Sequence, residues 1–293
     1  MPSTRELRRR IKSIRSTKQI TKALELVSAS KMRRATQATL ASRPYAETAW
    51  EVLRDLAERP GVSLTHPLLV ERPVKKVLVI IISSDSGLAG AYDPSVLRTA
   101  LKFAKEQKAE GRTIEFIAIG KKAQHSLLGQ GYTILQSYPN KNNRPATKDI
   151  LPISSFAIHS FKEGDYDQVM LISTRFHSIL RQETTLEQVL PLRVPEHAKK
   201  NEKPLAATEL TYEPTPETVL ETLLPRLVEV QIYQSLLESL ASEHSSRRMA
   251  MKNATDNASS VIDDLTLTYN GLRQSAITQE LAEITSGAAT LAN

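Results

Sequence analysis

The residues best placed to do chemistry sit in one loop. Ser83-Ser84-Asp85-Ser86-Gly87-Leu88-Ala89-Gly90-Ala91-Tyr92 follows the apolar run Val77–Ile82, where a dinucleotide-binding loop opens in a doubly wound sheet. Two glycines three apart would let the backbone approach a phosphate. However, the loop lacks G-x-G-x-x-G, and no G-x-x-x-x-G-K-[ST] occurs anywhere in the 293 residues. A turn at the carboxyl end of a strand, with Asp85 capping the next helix, accounts for the same residues. The six histidines (66, 125, 159, 177, 197 and 244) never fall at i,i+4 or beside paired carboxylates, so no metal site is expected. No G-x-S-x-G is present. Asp263-Asp264 is an adjacent pair on an expected helix, and neighbours at i,i+1 diverge. The chain has no cysteine, which excludes disulfides, thiolate metal sites and a thiol nucleophile. No catalytic residue, metal or cofactor is therefore expected.

The elements that would carry such residues are mostly helical. Aromatics make up 5% of the chain and glycines number 10. Both figures disfavour an all-β chain and favour long helices. Residues 3–58 contain no Gly and one interior Pro, Pro44. Leu7, Ile11 and Ile14 recur at 4,3 spacing, and Ile20, Leu24 and Val27 extend roughly the same face. This predicts one helix of about 80 Å, or two nearly continuous ones, at 1.5 Å per residue. Pro44 is expected to kink it or end its first section, and Arg59-Pro60-Gly61 to stop it. The period then changes. Val77–Ile82, Ile114–Ile119 and Gln168–Thr174 read as buried strands, Tyr132–Leu135 as a third strand between them, and Glu183–Pro191 as an edge strand. Helices are predicted over Ser95–Lys108, Lys121–Leu128 and Lys148–Phe161. Alternation of this kind indicates a parallel α/β sheet. Residues 62–75 and 193–211 read as linkers.

The C-terminal segment opens with Thr215 as N-cap and Pro216 at the first helical position. Pro225 is expected to break or kink the helix. Beyond it a 4,3 pattern runs through Leu227, Leu237, Met251, Ala258, Ile262, Leu265, Tyr269 and Leu272 to Ala276, with polar Gln234, His244, Arg248 and Thr255 in its middle. A helix over 226–286 would be about 90 Å long, and a heptad pattern of that length argues for a coiled coil. Charge points the same way. Residues 1–60 hold 14 Lys/Arg and 6 Asp/Glu, whereas 208–293 hold 5 and 12. A basic start and an acidic end suggest that the two ends pair. The expected fold class is thus mixed α and β: an antiparallel coiled coil of long N- and C-terminal helices with an inserted Rossmann-like α/β domain. The segments are 1–60, 74–192 and 208–293. The expected seam is Leu7, Ile11, Ile14, Leu24 and Val27 against Leu237, Met251, Ile262, Leu265 and Leu272. The longest apolar run, six residues, falls far short of the roughly 20 that a membrane-spanning helix needs, and no apolar segment follows the basic start as in a signal peptide.

Several long motifs in this chain resemble the γ-subunit family of F-type ATP synthases. Near the start these are Arg8-Arg9-Arg10-Ile11, Thr17-Lys18-Gln19-Ile20-Thr21-Lys22-Ala23, Val27-Ser28-Ala29-Ser30-Lys31-Met32-Arg33-Arg34 and Ala41-Ser42-Arg43-Pro44-Tyr45. Towards the end they are Leu224-Pro225-Arg226, Leu240-Ala241-Ser242-Glu243-His244, Met251–Ala258, Ile277-Thr278-Gln279-Glu280-Leu281 and Ser286-Gly287-Ala288. The resemblance implies a non-catalytic rotor shaft. In that family the paired termini fill a hexamer of three α and three β subunits, and the α/β domain sits at the foot, beside the ε subunit and the membrane ring of c subunits. Ion flow turns the ring and shaft, and ATP forms on the β subunits. Arg273, Gln274 and Thr278 stand at the positions that hydrogen-bond a β-subunit loop in one rotor orientation. The resemblance further implies a bacterial chain held at the cytoplasmic side of the cell membrane through its complex, with no nucleic-acid partner and no cofactor of its own. The sequence departs from the family pattern at Ser86, Ala89, Ala91 and Asp93, where Arg, Cys, Gly and Asn are common. It also has Leu24 and Arg248 where Met is usual. Two other readings remain open at this point. One is a nucleotide-binding enzyme using Asp85–Ala91, and the other is a nucleic-acid binder using the basic helix.

Overall fold

The computed structural model describes residues 3–58, 66–140, 145–193 and 215–291. The elements in chain order are α1 (Thr4–Glu58), β1 (Lys76–Ile82), α2 (Tyr92–Ala109), β2 (Thr113–Ile119), α3 (Lys121–Gly129), β3 (Ile134–Tyr138), α4 (Thr147–Glu163), β4 (Gln168–Phe176), β5 (Gln182–Leu190) and α5 (Pro216–Leu291). They form two compact units. One comprises Ala29–Ser246, and the other comprises Met1–Ser28 with Arg247–Asn293. Both boundaries fall inside a helix.

In the unit 29–246 the strand order is β3-β2-β1-β4-β5. The first four strands are parallel, and β5 runs antiparallel along the β4 edge. β1 is the central strand because its side chains from Val77 to Ile82 are apolar on both faces, as a strand covered from both sides requires. Val77, Val79 and Ile81 join Phe116, Met170 and Ile172 beneath α2 and α3. Leu78, Ile80 and Ile82 join Ile117, Leu171 and Phe161 of α4 on the opposite face. That second face also takes Leu53 and Leu56 from the end of α1, and Leu224, Leu227, Ile232 and Leu240 from α5. Segments from both long helices thus belong to the same core as the sheet. Fully burying one such Ile or Leu contributes about 1.5–3 kcal/mol.

Neither proline breaks its helix. α1 continues through Pro44 and α5 through Pro225, each as one helix. A proline removes one backbone donor, but Leu220, Leu224, Leu227 and Val228 around Pro225 are all buried, so packing on both sides holds the helix together. The expected start of α5 is present: the Thr218 N–H donates to Thr215 Oγ1 at 3.3 Å. Arg59-Pro60-Gly61 and nearly all of the linker at 193–211 lie outside the described residues. β3 is half-exposed in an alternating pattern, as befits an edge. It begins two residues later than the sequence suggested.

His66 lies at the start of a described segment and accepts the Leu68 N–H on Nδ1 at 3.2 Å. Burial and the nearby Lys162 ammonium lower its pKa from the ordinary 6.5, against a smaller opposing pull from Glu221. The folded chain therefore prefers neutral His66, and the unfolded chain takes up the proton first as pH falls. The stability this group contributes is complete above about pH 6.5 and declines as pH drops through the lower folded value. His66→Asn retains an acceptor but cannot titrate. Its urea midpoint is expected to fall less than that of the parent chain between pH 7.5 and 5.5.

Candidate functional site

Ligands of open parallel sheets bind at the carboxyl ends of the strands, where the strand order reverses. Here the connections β1-α2-β2 and β2-α3-β3 pass over one face and β3-α4-β4 over the other, so the reversal lies between β1 and β4. The loop after β1 is built tightly. Asp93 is buried and accepts the Ser84 N–H on Oδ1 at 2.9 Å and the Ser84 hydroxyl on Oδ2 at 2.6 Å. Its carboxylate thus holds the loop. Asp85 was expected to cap the helix that follows its loop. Its Oδ1 instead accepts the Lys121 N–H at 3.1 Å, capping α3, because the loop crosses beside the start of that helix. Leu88 takes a left-handed φ of 65° with its side chain exposed.

The crevice at this reversal is filled by α5. Ser239, Leu240, Ala241, Ser242, Glu243, His244 and Ser245 are each at most 2% exposed, which few polar helical runs achieve. The Thr174 N–H at the end of β4 donates to Ser239 Oγ at 3.0 Å, and the Ser242 hydroxyl donates to the Thr174 carbonyl at 3.3 Å. The Ser246 hydroxyl donates to the Ala89 carbonyl in the β1 loop at 2.6 Å. The Ser245 hydroxyl donates to the Ile179 carbonyl in the β4–β5 turn at 3.0 Å. Asn140, buried just after β3, donates to the Ser83 carbonyl at 2.8 Å and more weakly to Glu243 Oε2 at 3.4 Å. The sequence reading missed this arrangement. Its trace was a row of small polar residues, Ser239, Ser242 and Ser246, at helical spacing. Among the described residues no cluster of His, Asp and Glu is arranged to hold a metal ion.

The unit made of 1–28 with 247–293 pairs the two helices along a 4,3 seam. Leu7, Ile11, Thr21, Glu25 and Ser28 are buried on α1, with Ile14 half-buried. Met251, Thr255, Ala258 and Ile262 are buried on α5, with Leu265, Tyr269 and Leu272 half-buried. The phase on α1 corrects the expectation. Val27 is 52% exposed and Ile20 59%, while Leu24 is half-buried. The seam continues through Thr21, Glu25 and Ser28 because strict 4,3 spacing from Leu7 lands there, not on the neighbouring apolar residues. Leu237 lies in the other unit, where it is buried.

Thr21 Oγ1 and Thr255 Oγ1 lie 2.8 Å apart and buried, joining the helices directly. For residues 1–28 to share a compact unit with 247–293 the helices must run antiparallel; a parallel pair in this register would carry Leu7 towards residue 241. Counting outward from the threonine pair sets Ile14 level with Ile262, Leu7 with Tyr269 and Thr4 with Leu272. The stretch of α5 from Arg273 to Ser286 therefore has no stretch of α1 beside it, and all of it is exposed. Arg273, Gln274 and Thr278 stand at the start of this solitary stretch, and the Thr278 hydroxyl donates to the Gln274 carbonyl at 3.0 Å. Charge contributes little to the pairing: residues 247–293 hold five Asp/Glu and four Lys/Arg, so the acidic excess lies mostly before Arg247. Removing one threonine hydroxyl leaves its partner buried, whereas removing both leaves an apolar seam. Thr21→Val alone is expected to cost about 1 kcal/mol, and T21V/T255V to recover that loss or exceed it. Thermal unfolding of the two single variants and the double variant measures this.

Comparisons with known proteins agree with this architecture. A family model described as ATP synthase matches residues 3–291. The chain is 45% identical to the ATP synthase gamma chain of Herpetosiphon aurantiacus, with 99% of each chain covered. It is 44% identical to that of Roseiflexus sp. strain RS-1, with 100% and 99% covered. Among solved structures, a chain of the Euglena gracilis mitochondrial ATP synthase, described as OSCP/F1/c-ring, is similar in fold with a TM-score of 0.66 at 17% identity. That match covers 98% of this chain and 94% of the other. A chain from the central stalk and c ring of the Tetrahymena thermophila enzyme gives 0.56 at 25% identity, covering 80% and 99%. With relatives this similar along its whole length, the chain belongs to the ATP synthase gamma chain family.

Proposed function

We propose that this chain is the central shaft of an F-type ATP synthase, carrying the ion-driven rotation of a membrane c ring to the subunits that make ATP. The observation that supports this best is the full-length match at 45% identity to a gamma chain. The geometry suits the role. Two helices locked by a continuous seam resist twisting better than one. The solitary end of α5 from Arg273 onward offers its full circumference to a surrounding sleeve. In this reading catalysis belongs to β subunits, three of which alternate with three α subunits around the shaft. The α/β domain stands at the foot beside an ε subunit and the c ring, at the cytoplasmic face of a bacterial membrane. Arg273, Gln274 and Thr278 would hydrogen-bond a β-subunit loop in one orientation. Exposed charge contacts of this kind contribute roughly 1 kcal/mol or less each, which favours turning over sticking. No helix among the described residues is long and apolar enough to cross a membrane, so attachment would run through the complex. The enzyme reading loses its site, because the crevice that a nucleotide needs is filled by Ser239–Ser245.

A tagged chain purified from gently solubilised membranes, with subunit ratios taken by intact mass, tests the assignment. One copy with three each of two larger nucleotide-binding subunits is the expected result. Recovery of the chain alone, or with nucleic acid, would contradict it.

A further inference from the structure

Turning force applied to the α/β domain must reach the long helix, and apolar packing alone lets a helix slip about its axis. The contacts at the filled crevice are of another kind. Ser239 and Ser242, one turn apart on α5, grip a single residue of the sheet, one accepting the Thr174 N–H and the other donating to the Thr174 carbonyl. Thr174 itself is paired in the β4–β5 ladder opposite Thr184, so the gripped peptide is fixed to the sheet on its other side. Ser246 lies seven residues beyond Ser239, about 10 Å along the axis and on nearly the same face. It fastens the loop between β1 and α2, through the Ala89 carbonyl at 2.6 Å. The helix is thus held at both ends of a two-turn span by directional bonds, one set to β4 and one to the loop between β1 and α2. Hydrogen bonds weaken steeply off their preferred angle, so rotation of the helix within its seat breaks all three. Small side chains are required there, since Ser239 and Ser242 are fully buried against the strand end.

We propose that Ser239, Ser242 and Ser246 form the joint that sets the torsional stiffness between the α/β domain and the shaft helix. They act as positioning residues through the backbone of Thr174 and Ala89. This rests on the shaft reading above. The test uses the assembled α, β and gamma-chain complex, fixed through its outer subunits, with a bead attached at a cysteine introduced as Lys105→Cys. Lys105 lies on the exposed face of α2, and the chain has no other cysteine. The measured quantity is the variance of the bead angle during pauses at low ATP. In S239A/S242A/S246A the variance is expected to rise at least twofold over the parent, with stepping retained. Leu127→Ala in α3, buried in the core on the opposite face of the sheet from α5, is the control for general loss of stability and is expected to leave the variance unchanged. A triple variant with the parent's variance overturns the inference, as does an equal rise in the control. A parent complex that hydrolyses ATP without rotating overturns the shaft reading instead. If the triple variant does not assemble, S246A, whose serine is half-buried, takes its place. A rise of about 1.3-fold is then expected, and no rise overturns the inference.

Discussion

Asn140→Asp is expected to destabilise the α/β domain by about 3–5 kcal/mol at neutral pH, the cost of leaving an uncompensated charge buried. The substitution is nearly isosteric, so packing barely changes. What changes is the sense of every contact. The Asn140 amide donates to the Ser83 carbonyl and towards Glu243 Oε2, and Asn140, Ser83 and Glu243 are all essentially buried. A carboxylate at 140 would face an acceptor on each side, one of them another carboxylate. Two features distinguish this from a generic loss of stability. Asn140→Leu, which removes the donor without adding charge, is expected to cost less, about 1–3 kcal/mol. In Asn140→Asp the new carboxyl would have its folded pKa raised by burial and by Glu243. Its protonated form, present at low pH, restores a donor. The deficit relative to the parent is therefore smallest near pH 4 and grows as pH rises to the raised folded value. Urea unfolding from pH 4.5 to 8 measures both effects.

The second large effect is at Gly120, between β2 and α3. Its φ of 98° is one that side-chain-bearing residues rarely adopt, and an added Cβ would press into the Ser83 carbonyl and sit 2.6 Å from Ser83 Oγ. Neither neighbour can yield. The Ser83 N–H donates to the Ile119 carbonyl at 2.7 Å, and Ser83 Oγ accepts the Ala123 N–H at 3.0 Å. Backbone strain of about 1–3 kcal/mol adds to overpacking of similar size. Gly120→Ala is thus expected to lose about 4 kcal/mol, seen as a fall in melting temperature of about 8–16 °C. Gly111→Ala is the comparison. It shares the positive φ, but a Cβ there meets nothing within 4 Å, so only the strain remains and the loss should be about 1–2 kcal/mol.

Gly120 and Asn140 show which parts of the fold could be read from sequence. The strands β1, β2 and β4 were legible because a parallel strand buried on both faces is a plain apolar run, and the helices between them because the period changed. The 4,3 pattern of α5 from Met251 to Leu272 was legible for the same reason. On α1 the same logic misled. Ile20, Leu24 and Val27 are apolar and helically spaced, yet Val27 and Ile20 face outward, while Thr21, Glu25 and Ser28 keep the seam. Hydrophobicity marks a face as buried only when the chain buries it by itself, and an outward apolar face suits a partner not present in this chain. The seat of α5 was illegible for a different reason. Ser239, Ser242 and Glu243 are polar residues in a helix, which alone reads as a solvated face. Only the sheet's topology brings Thr174, Ala89 and Asn140 to them from far along the chain. Asp85 is a cap, but for α3 and not for the helix its own loop leads into, because sequence order does not say which helix a loop will cross.

Rotation itself is the most direct test of the central claim. The complex is fixed through its outer subunits, a bead is attached at Lys105→Cys, and bead angle and ATP hydrolysis are recorded together. The shaft account predicts unidirectional turning that starts with ATP, slows as ATP is depleted and stops when the outer subunits are inhibited. Sustained ATP hydrolysis by the same complexes with a stationary bead would contradict it.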